Sequence, residues 1–332
     1  MSGAADTVSE GRRRAMLRTA MGPAIAAALA DPLVLEVMIN PDGALRLDRL
    51  GEGRTDTGTR FEPAQVERII RLVASHARIE VHAASPIVSA ELPPHGEGAG
   101  ERFEGVLPPV SLAPCFSIRK PAIRIYTLLD YVADGIMSAE MARLLSLAVV
   151  ERRNILVAGG TSSGKTTLAN ALLAEMAHLD ERVILIEDTR ELQSPAPDTV
   201  ALRTRAGHVT MADLVRSTLR LRPDRIIVGE VRGGEALDML KAWNTGHPGG
   251  IATVHANSAA SALLRIEQLI QEAVVTVPRR LIADAIDLVV FIAGRGSARR
   301  ADTPARVAGL DPAGDYALFD FPLHSPRPPP HP

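Results

Sequence analysis

The chain has 332 residues, of which 46% are hydrophobic and 3% aromatic, and its formal net charge at pH 7 is −2. This length predicts about two domains, and the hydrophobic fraction is sufficient for a core in each. The lack of a basic excess and the few aromatic residues argue against a nucleic-acid-binding protein, and the single cysteine, Cys115, excludes an internal disulfide and a cysteine-built zinc site.

Residues 1–30 form a basic and Ala-rich segment with three interpretations. The arginines at 12–14 before an Ala-rich run are typical of an export signal. A spacing of about four residues between apolar positions instead favours an amphipathic helix packed on a domain and restarted at Gly22-Pro23. A basic helix on a membrane surface is the third interpretation. No run of about 18 apolar residues occurs, so we predict no spanning helix. The apolar pairs are Met16/Leu17, Ala20/Met21, Ala24/Ile25 and Ala28/Leu29.

Residues 31–125 have the pattern of a small α+β domain. Two alternating apolar runs flank the turn Asn40-Pro41-Asp42-Gly43 and predict a hairpin. We therefore predict an antiparallel-sheet domain, followed by a linker over 126–138. The predicted strands are Val34–Ile39, Ala44–Leu50, Ile87–Leu92, Arg102–Leu107 and Cys115–Arg119, and the predicted helix is Pro63–His76.

The most informative stretch is a phosphate-binding pattern, G-x-x-x-x-G-K-S/T, between an apolar run typical of a strand and a helix-forming segment. Backbone N–H groups of such a loop converge on phosphate oxygens, and the helix dipole adds positive potential. We expect Lys165 to reach the β- and γ-phosphates and Thr166 to offer its hydroxyl to Mg²⁺. A chance glycine-rich turn is the alternative, which the flanking strand and helix argue against. The predicted ligands are ATP and Mg²⁺, bound by Gly159, Gly160, Thr161, Ser162, Ser163, Gly164, Lys165, Thr166 and Thr167.

Three further apolar strands within residues 139–322 each end in a polar group. Glu187, Glu230 and His255 follow these strands directly. In wound α/β sheets, ligands bind at the carboxyl ends of the strands. One carboxylate at a strand end is common, but three such ends together with a phosphate loop indicate a catalytic site.

The chemistry of phosphoryl transfer to water assigns these residues roles. Glu230 is the candidate for polarising water, directly or through the metal's shell, because Gly229 stands where a Walker B motif often has Asp. Glu187 is the second acidic candidate, and Thr166, Glu187 and Glu230 are the predicted neighbours of Mg²⁺, acting through nucleotide and water. His255 could hydrogen-bond the γ-phosphate, although a lone histidine is also often only a satisfied polar group.

Several segments resemble the Asp, Walker B and His boxes of the secretion traffic ATPases, which power type II secretion, type IV pili and type IV secretion. They are Glu187-Asp188-Thr189-Arg190-Glu191-Leu192, the run from Leu221 to Gly233 containing Ile226-Ile227-Val228-Gly229-Glu230, and the histidine segments Thr245-Gly246-His247-Pro248-Gly249-Gly250 and Thr253-Val254-His255-Ala256-Asn257.

This resemblance implies an α/β protein with an N-terminal α+β antiparallel-sheet domain followed by a RecA-like P-loop NTPase domain over residues 139–322. It implies an ATP-hydrolysing homo-hexamer that lies in the cytoplasm, peripheral to the inner membrane. Its partners would be inner-membrane components and other ATPases of the secretion apparatus, and no sequence-specific nucleic-acid binding is expected. Arg102 and Arg119 match positions where the family carries arginines that reach the phosphates, the alternative being solvated surface arginines.

Two departures favour the type IV secretion branch, including conjugal transfer. Type II secretion relatives commonly carry a four-cysteine metal insertion, which a chain with one cysteine lacks. Pilus retraction relatives usually have Pro after the Glu-Asp pair, where this chain has Thr189. The Pro-rich tail, residues 323–332, is predicted to be disordered.

Three alternative functions remain open from the sequence. A type IV pilus assembly or retraction ATPase shares the same boxes. A DNA motor of the RecA or helicase type shares the phosphate loop, but the composition does not favour its basic, aromatic-bearing groove. A scaffold gated by bound ATP without turnover is the third, and the presence of Glu230 and His255 argues against it.

Overall fold

The structure is a computed structural model that describes residues 2–93, 100–121, 125–205 and 207–321, without the side chains of residues 2–14 and 297. The chain divides into two compact units, Met1–Ile123 and Arg124–Pro332. The Pro-rich tail predicted at 323–332 lies outside the described residues. Within the described ranges, no helix is both long and apolar enough to cross a bilayer.

The first unit is an antiparallel sheet packed against two helical elements. The strands run in the order β3-β2-β1-β6-β5-β4, and all neighbouring pairs are antiparallel. The elements are α1 (Ser2–Ala30), β1 (Val34–Ile39), β2 (Ala44–Arg49), β3 (Gly53–Arg60), α2 (Pro63–Ala77), β4 (Ile87–Glu91), β5 (Arg102–Val106) and β6 (Cys115–Arg119).

Helical and strand periodicity together build the core of this unit. The backbone of Gly22 is not helical, so α1 consists of two helices joined at this residue, as the Gly22-Pro23 pair predicted. Of the predicted apolar stripe of α1, Leu17, Met21, Ile25 and Ala28 are buried together with one face of the sheet and the apolar face of α2, whereas Met16 is exposed. The edge strand β3 was not predicted, because its sequence GRTDTGTR is polar and almost entirely exposed, which removes the alternating pattern that marks a half-buried strand.

The second unit is built on a mainly parallel sheet with the order β15-β14-β12-β7-β11-β10-β8-β9, to which β13 adds beside β12. Its elements are α3 (Leu128–Ala133), α4 (Ala139–Val150), β7 (Ile155–Gly159), α5 (Lys165–Ala174), β8 (Arg182–Glu187), β9 (Asp198–Arg203), α6 (Met211–Thr218), β10 (Arg225–Val228), α7 (Glu235–Asn244), β11 (Ile251–His255), α8 (Ala259–Gln271), α9 (Arg279–Ala285), β12 (Leu288–Ala293), β13 (Arg300–Ala301), β14 (Ala305–Leu310) and β15 (Tyr316–Asp320).

Successive residues of the parallel strands pack into two separate cores. Val183 and Leu185 of β8 contact the cluster built with α3, α4 and α5, whereas Ile184 and Ile186 contact the cluster built with α6 to α9. Because strand side chains alternate between faces, strands buried on both sides are continuously apolar, which is why the sequence identified them. The predicted fold class, an antiparallel-sheet α+β unit followed by a RecA-like unit, is confirmed.

The structure differs from the predicted linker at residues 126–138. This segment contains α3, whose Leu128 and Tyr131 are buried in the core of the second unit. Ile136 and Met137 are buried in the same cluster. Burial of these apolar side chains against α4 and α5 stabilises the second unit. The segment is therefore part of that unit's core and not an exposed linker.

Candidate nucleotide site

The phosphate-binding pattern forms a loop between β7 and α5 whose shape depends on its glycines. Ser162 and Gly164 have φ values of 62° and 99°, in the left-handed region. A Cβ on Gly159 would lie 2.4 Å from the carbonyl oxygen of Ile292, so β7 leaves the sheet at a residue without a side chain. Gly164 caps α5 without any side-chain hydrogen bond, which leaves the first N–H groups of this ten-residue helix available for an anion.

Lys165, the first residue of α5, is a buried cation inside this loop. Only 7% of the surface of Lys165 is exposed. Its Nζ donates to the carbonyl oxygen of Gly160 at 3.1 Å and lies 3.3 Å from His255 Nε2. A buried ammonium needs acceptors around it, and triphosphate oxygens would supply them. Thr166 and Thr167 follow in the first turn of the helix and are half-buried.

The sheet order brings the three predicted strand-end residues beside the loop. In the pairing register of β7 and β11, His255 lies directly opposite Gly159. Strand β10, which Glu230 follows, pairs with β11, and β8, which ends at Glu187, pairs with β10. Parallel strands present their carboxyl ends at one edge of a sheet, so Glu187, Glu230 and His255 share this edge with the phosphate loop.

Glu230 is the centre of a charged network at this edge. Its Oε1 lies 2.8 Å from His255 Nε2, and its Oε2 accepts a hydrogen bond from Arg232 Nε at 2.6 Å. Arg232 also lies 3.7 Å from a carboxylate oxygen of Asp188. Arg232 was not predicted as a site residue, although a basic residue two positions after a strand-end Glu is a signal for such a pair.

The environment of His255 keeps its imidazole neutral near pH 7. Burial is the largest influence that lowers the pKa of His255, and the charge of Lys165 lowers it further, against the opposing effect of Glu230. Nε2 accepts a hydrogen bond from the Lys165 ammonium in the tautomer protonated at Nδ1, while Glu230 Oε1 lies close to it without a hydrogen-bond partner among the described residues. A neutral imidazole beside Lys165 and Glu230 can thus change its partner without changing its charge.

Glu187 is almost fully buried and accepts two backbone hydrogen bonds. Its Oε1 receives the N–H groups of Glu191 at 2.9 Å and Leu192 at 2.7 Å, which fixes the segment after β8. Burial raises the pKa of Glu187 to about 7, and these two hydrogen bonds oppose the rise. A Cβ on Gly229 would lie 3.0 Å from Glu187 Cγ, so the glycine at the Walker B position leaves room for the carboxylate of the neighbouring strand.

Asn170 of α5 attaches the phosphate-loop helix to the segment after β8. This buried amide accepts a hydrogen bond from the backbone N–H of Gln193 at 2.9 Å and donates one to the carbonyl oxygen of Glu191 at 3.0 Å. The position of Glu187 is therefore coupled to that of the helix carrying Lys165. Sequence reasoning missed Asn170, because an amide within a helix has no pattern of its own.

The polar groups at this edge fit ATP with Mg²⁺ better than a metal held by protein alone. Among the described residues, no group of three or more His, Cys, Asp or Glu side chains could hold a metal ion. A magnesium ion usually keeps several waters and is bound through one or two protein ligands and the substrate phosphates. Thr166, Glu187 and Glu230 can act in this way around a bound triphosphate.

The first histidine segment, from Thr245 to Gly250, lies away from this edge. It precedes β11, whereas His255 ends that strand, and His247 Nδ1 lies 3.0 Å from the carbonyl oxygen of Pro223. A Cβ on Gly250 would lie 2.0 Å from the indole nitrogen of the buried Trp243, so this glycine is required by packing. The two histidine segments therefore occupy opposite ends of the same strand.

The two remaining predicted site residues, Arg102 and Arg119, belong to the first unit. Arg102 is half-buried and Arg119 is exposed. They lie opposite each other in the register of β5 and β6. The structure thus brings these two cations together on one face of the antiparallel sheet, as it brings the other predicted site residues together at one edge of the second sheet.

Comparison with known proteins gives concordant results. The chain matches the family model "Type II/IV secretion system protein" over residues 61–295. Conjugal transfer protein TrbB of Rhizobium radiobacter is 46% identical over 295 residues, covering 88% of this chain and 90% of that protein. Type IV secretion system protein PtlH of Bordetella pertussis is 36% identical over 309 residues, covering 80% and 88%. The crystal structure of the pilus retraction motor PilT with bound ADP resembles this chain in fold, with a TM-score of 0.59 at 19% identity over 89% of this chain and 80% of that one.

Proposed function

The chain belongs to the type II/IV secretion system protein family, and we propose that it is a hexameric ATPase motor of a type IV secretion or conjugal transfer system. It would couple Mg-ATP hydrolysis to a domain closure that powers pilus biogenesis, substrate translocation or both. The observation that supports this most directly is the single sheet edge that carries the phosphate loop, Glu187, Glu230 and His255. The high identity to a conjugal transfer protein favours this branch over a pilus motor.

The loop and its helix would hold the triphosphate. Lys165, buried beside the loop, would exchange its contact with the Gly160 carbonyl for phosphate oxygens. Thr166 would hold Mg²⁺ from the first turn of α5, and the ion would supply neutralisation of the phosphate charge. Glu187 would support the metal's water shell.

Glu230 would orient the attacking water. Its Oε2 accepts a hydrogen bond from Arg232, whereas the buried Oε1 beside His255 has no hydrogen-bond partner among the described residues and would accept one from water when nucleotide binds. His255, which lies close to both Lys165 and Glu230, would detect a γ-phosphate, since a phosphate oxygen entering at Lys165 would change the groups around Nε2. Hydrolysis would reverse that exchange.

The assembly and location follow from the family and belong to the same proposal. The motor would be a homo-hexamer peripheral to the cytoplasmic side of the inner membrane, where it would bind inner-membrane components and other ATPases of the apparatus. Arg102 and Arg119 of the first unit would contribute charge to the phosphates, so that nucleotide draws the two units together.

A turnover assay combined with electron microscopy tests this function. The purified chain should release phosphate from ATP only when Mg²⁺ is present and form six-fold rings whose shape changes between ATP and ADP. Rings that bind ATP without releasing phosphate would contradict the enzyme and leave a nucleotide-gated scaffold. Release stimulated only by single-stranded DNA would instead indicate a DNA motor.

A further inference from the structure

The phosphate loop has a basic neighbour in the turn that follows β12. This turn leads from β12 through Gly296–Ala298 into β13, which pairs antiparallel with β12. The Arg295 side chain donates from Nη2 to the carbonyl oxygen of Thr161 at 3.2 Å. The turn carries two arginines, Arg295 and Arg299. A cation beside a phosphate loop can bind a phosphate group, so the contacts of both side chains bear on ligand binding.

Arg299 lies directly against the last glycine of the loop. A Cβ built on Gly164 would be 3.1 Å from both Cζ and Nε of Arg299, so the guanidinium covers the backbone at the start of α5. The Nε atom of Arg299 is buried and has no hydrogen-bond partner among the described residues. A buried N–H donor without an acceptor is costly, and here it lies beside a helix N-terminus whose cap offers no side-chain acceptor.

The backbone of this turn holds Arg299 in place. Gly294 has a φ of 78°, and a Cβ there would lie 2.1 Å from the Ala298 carbonyl oxygen, so the turn is tight and requires glycine. Ala301, two residues after Arg299, donates its N–H to the carbonyl oxygen of Ile136 at 2.9 Å. The arginine is thus attached to a hairpin with little backbone freedom, as a pre-organised ligand contact should be.

Strand order decides which part of a nucleotide this arginine can meet. Strand β12 pairs with β7 on one side, with Ile292 opposite Gly159, while β11 and β10 lie on the other side of β7. Glu230 and His255, the groups proposed to act at the γ-phosphate, approach from the β11 side. A triphosphate lying along the loop with its γ-phosphate toward them presents its α- and β-phosphates on the β12 side.

We propose that Arg299 binds the α- or β-phosphate of the nucleoside di- or triphosphate, supplying from the same unit a contact that ADP and ATP share, while Arg295 fixes the loop. This inference rests on the proposed nucleotide binding. A guanidinium suits the role because its fork stays charged and donates two hydrogen bonds to one phosphate. Arg299 contributes to retention of the nucleotide and takes no part in activating water.

The test measures affinity of the full chain for ADP and for a non-hydrolysable ATP analogue with Mg²⁺ by calorimetry. Arg299→Ala should weaken both by about tenfold, since hydrogen bonds to charged groups contribute at this level. It should also reduce the slope of log Kd against log salt concentration, because an ionic contact is lost. Arg300→Ala, which removes an exposed arginine from the adjacent strand, is the matched control and should change neither quantity.

Four results would overturn the inference. Unchanged ADP affinity in Arg299→Ala would show that Arg299 does not contact the α- or β-phosphate. Weakening confined to the ATP analogue would place the arginine at the γ-phosphate. Equal weakening with an unchanged salt slope would mean that Arg299 only buttresses the loop. Should the Ala variant fail to fold, Arg299→Lys, which keeps the charge but loses the fork, should retain the salt slope with weaker binding, and parental affinity in it would equally overturn the proposal. A parent chain that binds neither nucleotide contradicts the proposed function itself.

Discussion

Arg102 and Arg119 lie opposite each other on neighbouring antiparallel strands and continue into a charged row across the sheet. Glu91 is the cross-strand neighbour of Arg102 on its other side, and Glu36 is that of Arg119. Like charges directly opposite each other destabilise a sheet, and the two flanking glutamates offset this only in part. Arg102 and Arg119 are 17 positions apart in sequence (119 − 102) but adjacent in the sheet, which fits a shared anionic ligand better than two independent surface positions.

Removing either arginine should therefore separate catalysis from stability. We expect Arg102→Ala or Arg119→Ala to reduce the ATPase rate of the full chain by about 10³-fold, at the lower end of what arginines that contact the transferred phosphate contribute. The melting temperature without nucleotide should stay the same or rise, because repulsion is relieved. Arg54→Ala, at an exposed position of β3, serves as the control. Parental rates in both variants would exclude a role at the phosphates.

Variants at Lys165 and Glu230 should separate nucleotide binding from nucleotide hydrolysis. Lys165→Ala removes the charge that faces the phosphates and should abolish nucleotide binding or turnover. Glu230→Gln should bind ATP with near-parental affinity but hydrolyse it about 10²-fold more slowly, if it orients the water. Calorimetry and phosphate release measure the two properties separately. Turnover at the parental rate in Glu230→Gln would show that another group activates water.

The pH dependence of stability should report on Glu187. Burial raises its folded-state pKa to about 7 from an ordinary value of 4.5, so the folded state favours the protonated form. The stability that this provides is complete below about pH 4.5 and is lost as the pH rises through 7. The Gln side chain of Glu187→Gln stays neutral. The difference in unfolding free energy between this variant and the parent should therefore shift in favour of the variant by on the order of 2 kcal/mol from pH 5 to pH 8. Melting temperatures of both proteins without ligands measure this shift.

A matched carboxylate variant makes the Glu187 measurement specific. Glu140→Gln, at an exposed position in the first turn of α4, should follow the parental pH profile. In the same Glu187→Gln protein, ATPase activity should fall while the fold stays intact. A difference in melting temperature that does not grow with pH would mean that the Glu187 side chain is ionised throughout this range.

The two histidine segments should respond differently to mutation. His255→Ala removes a side chain beside Lys165 and Glu230 and should lower ATPase activity and conjugative transfer with little change in melting temperature. His247→Ala, at the opposite end of β11, should leave nucleotide affinity at the parental level. Nucleotide calorimetry and thermal unfolding of both proteins test this contrast. Loss of nucleotide affinity in His247→Ala would contradict the placement of that segment.

Packing at the opposite end of β11 provides a stability prediction. A methyl group at position 250 would meet the Trp243 ring within 2.1 Å, and this ring also donates to the Ile226 carbonyl oxygen. Gly250→Ala should therefore lower the free energy of unfolding by about 2–3 kcal/mol, the cost of overpacking a buried aromatic. Denaturant titration measures this change. A stability equal to that of the parent would show that the ring can move without loss.

The sequence was sufficient for the elements whose burial imposes a pattern. Strands β7, β8, β10 and β11 have apolar centres, so their presence could be predicted, as could the polar residues Glu187, Glu230 and His255 at the carboxyl ends of the last three. Strand β3 and the helix within residues 126–138 were missed because the first is polar throughout and the second is too short to show a period.

Contacts between side chains were harder to predict from the sequence than helices and strands. Arg232, Asn170 and Arg299 act through contacts with segments remote in sequence or set by a turn, and an arginine or amide in isolation indicates nothing about its partner. The register that places Arg102 beside Arg119 likewise depends on sheet pairing, which residue types alone do not specify.

The close approach of Gly229 to Glu187 has an evolutionary consequence. An aspartate at 229, as in many Walker B motifs, would compete with the Glu187 side chain for the same volume, so this point of the sheet has room for a carboxylate on only one of the two strands. Substitutions at the two positions should then be compatible only as a pair. Gly229→Asp alone should impair folding or activity, and adding Glu187→Ala should restore part of what is lost, which makes these positions a covarying unit that sequence comparison across relatives can detect.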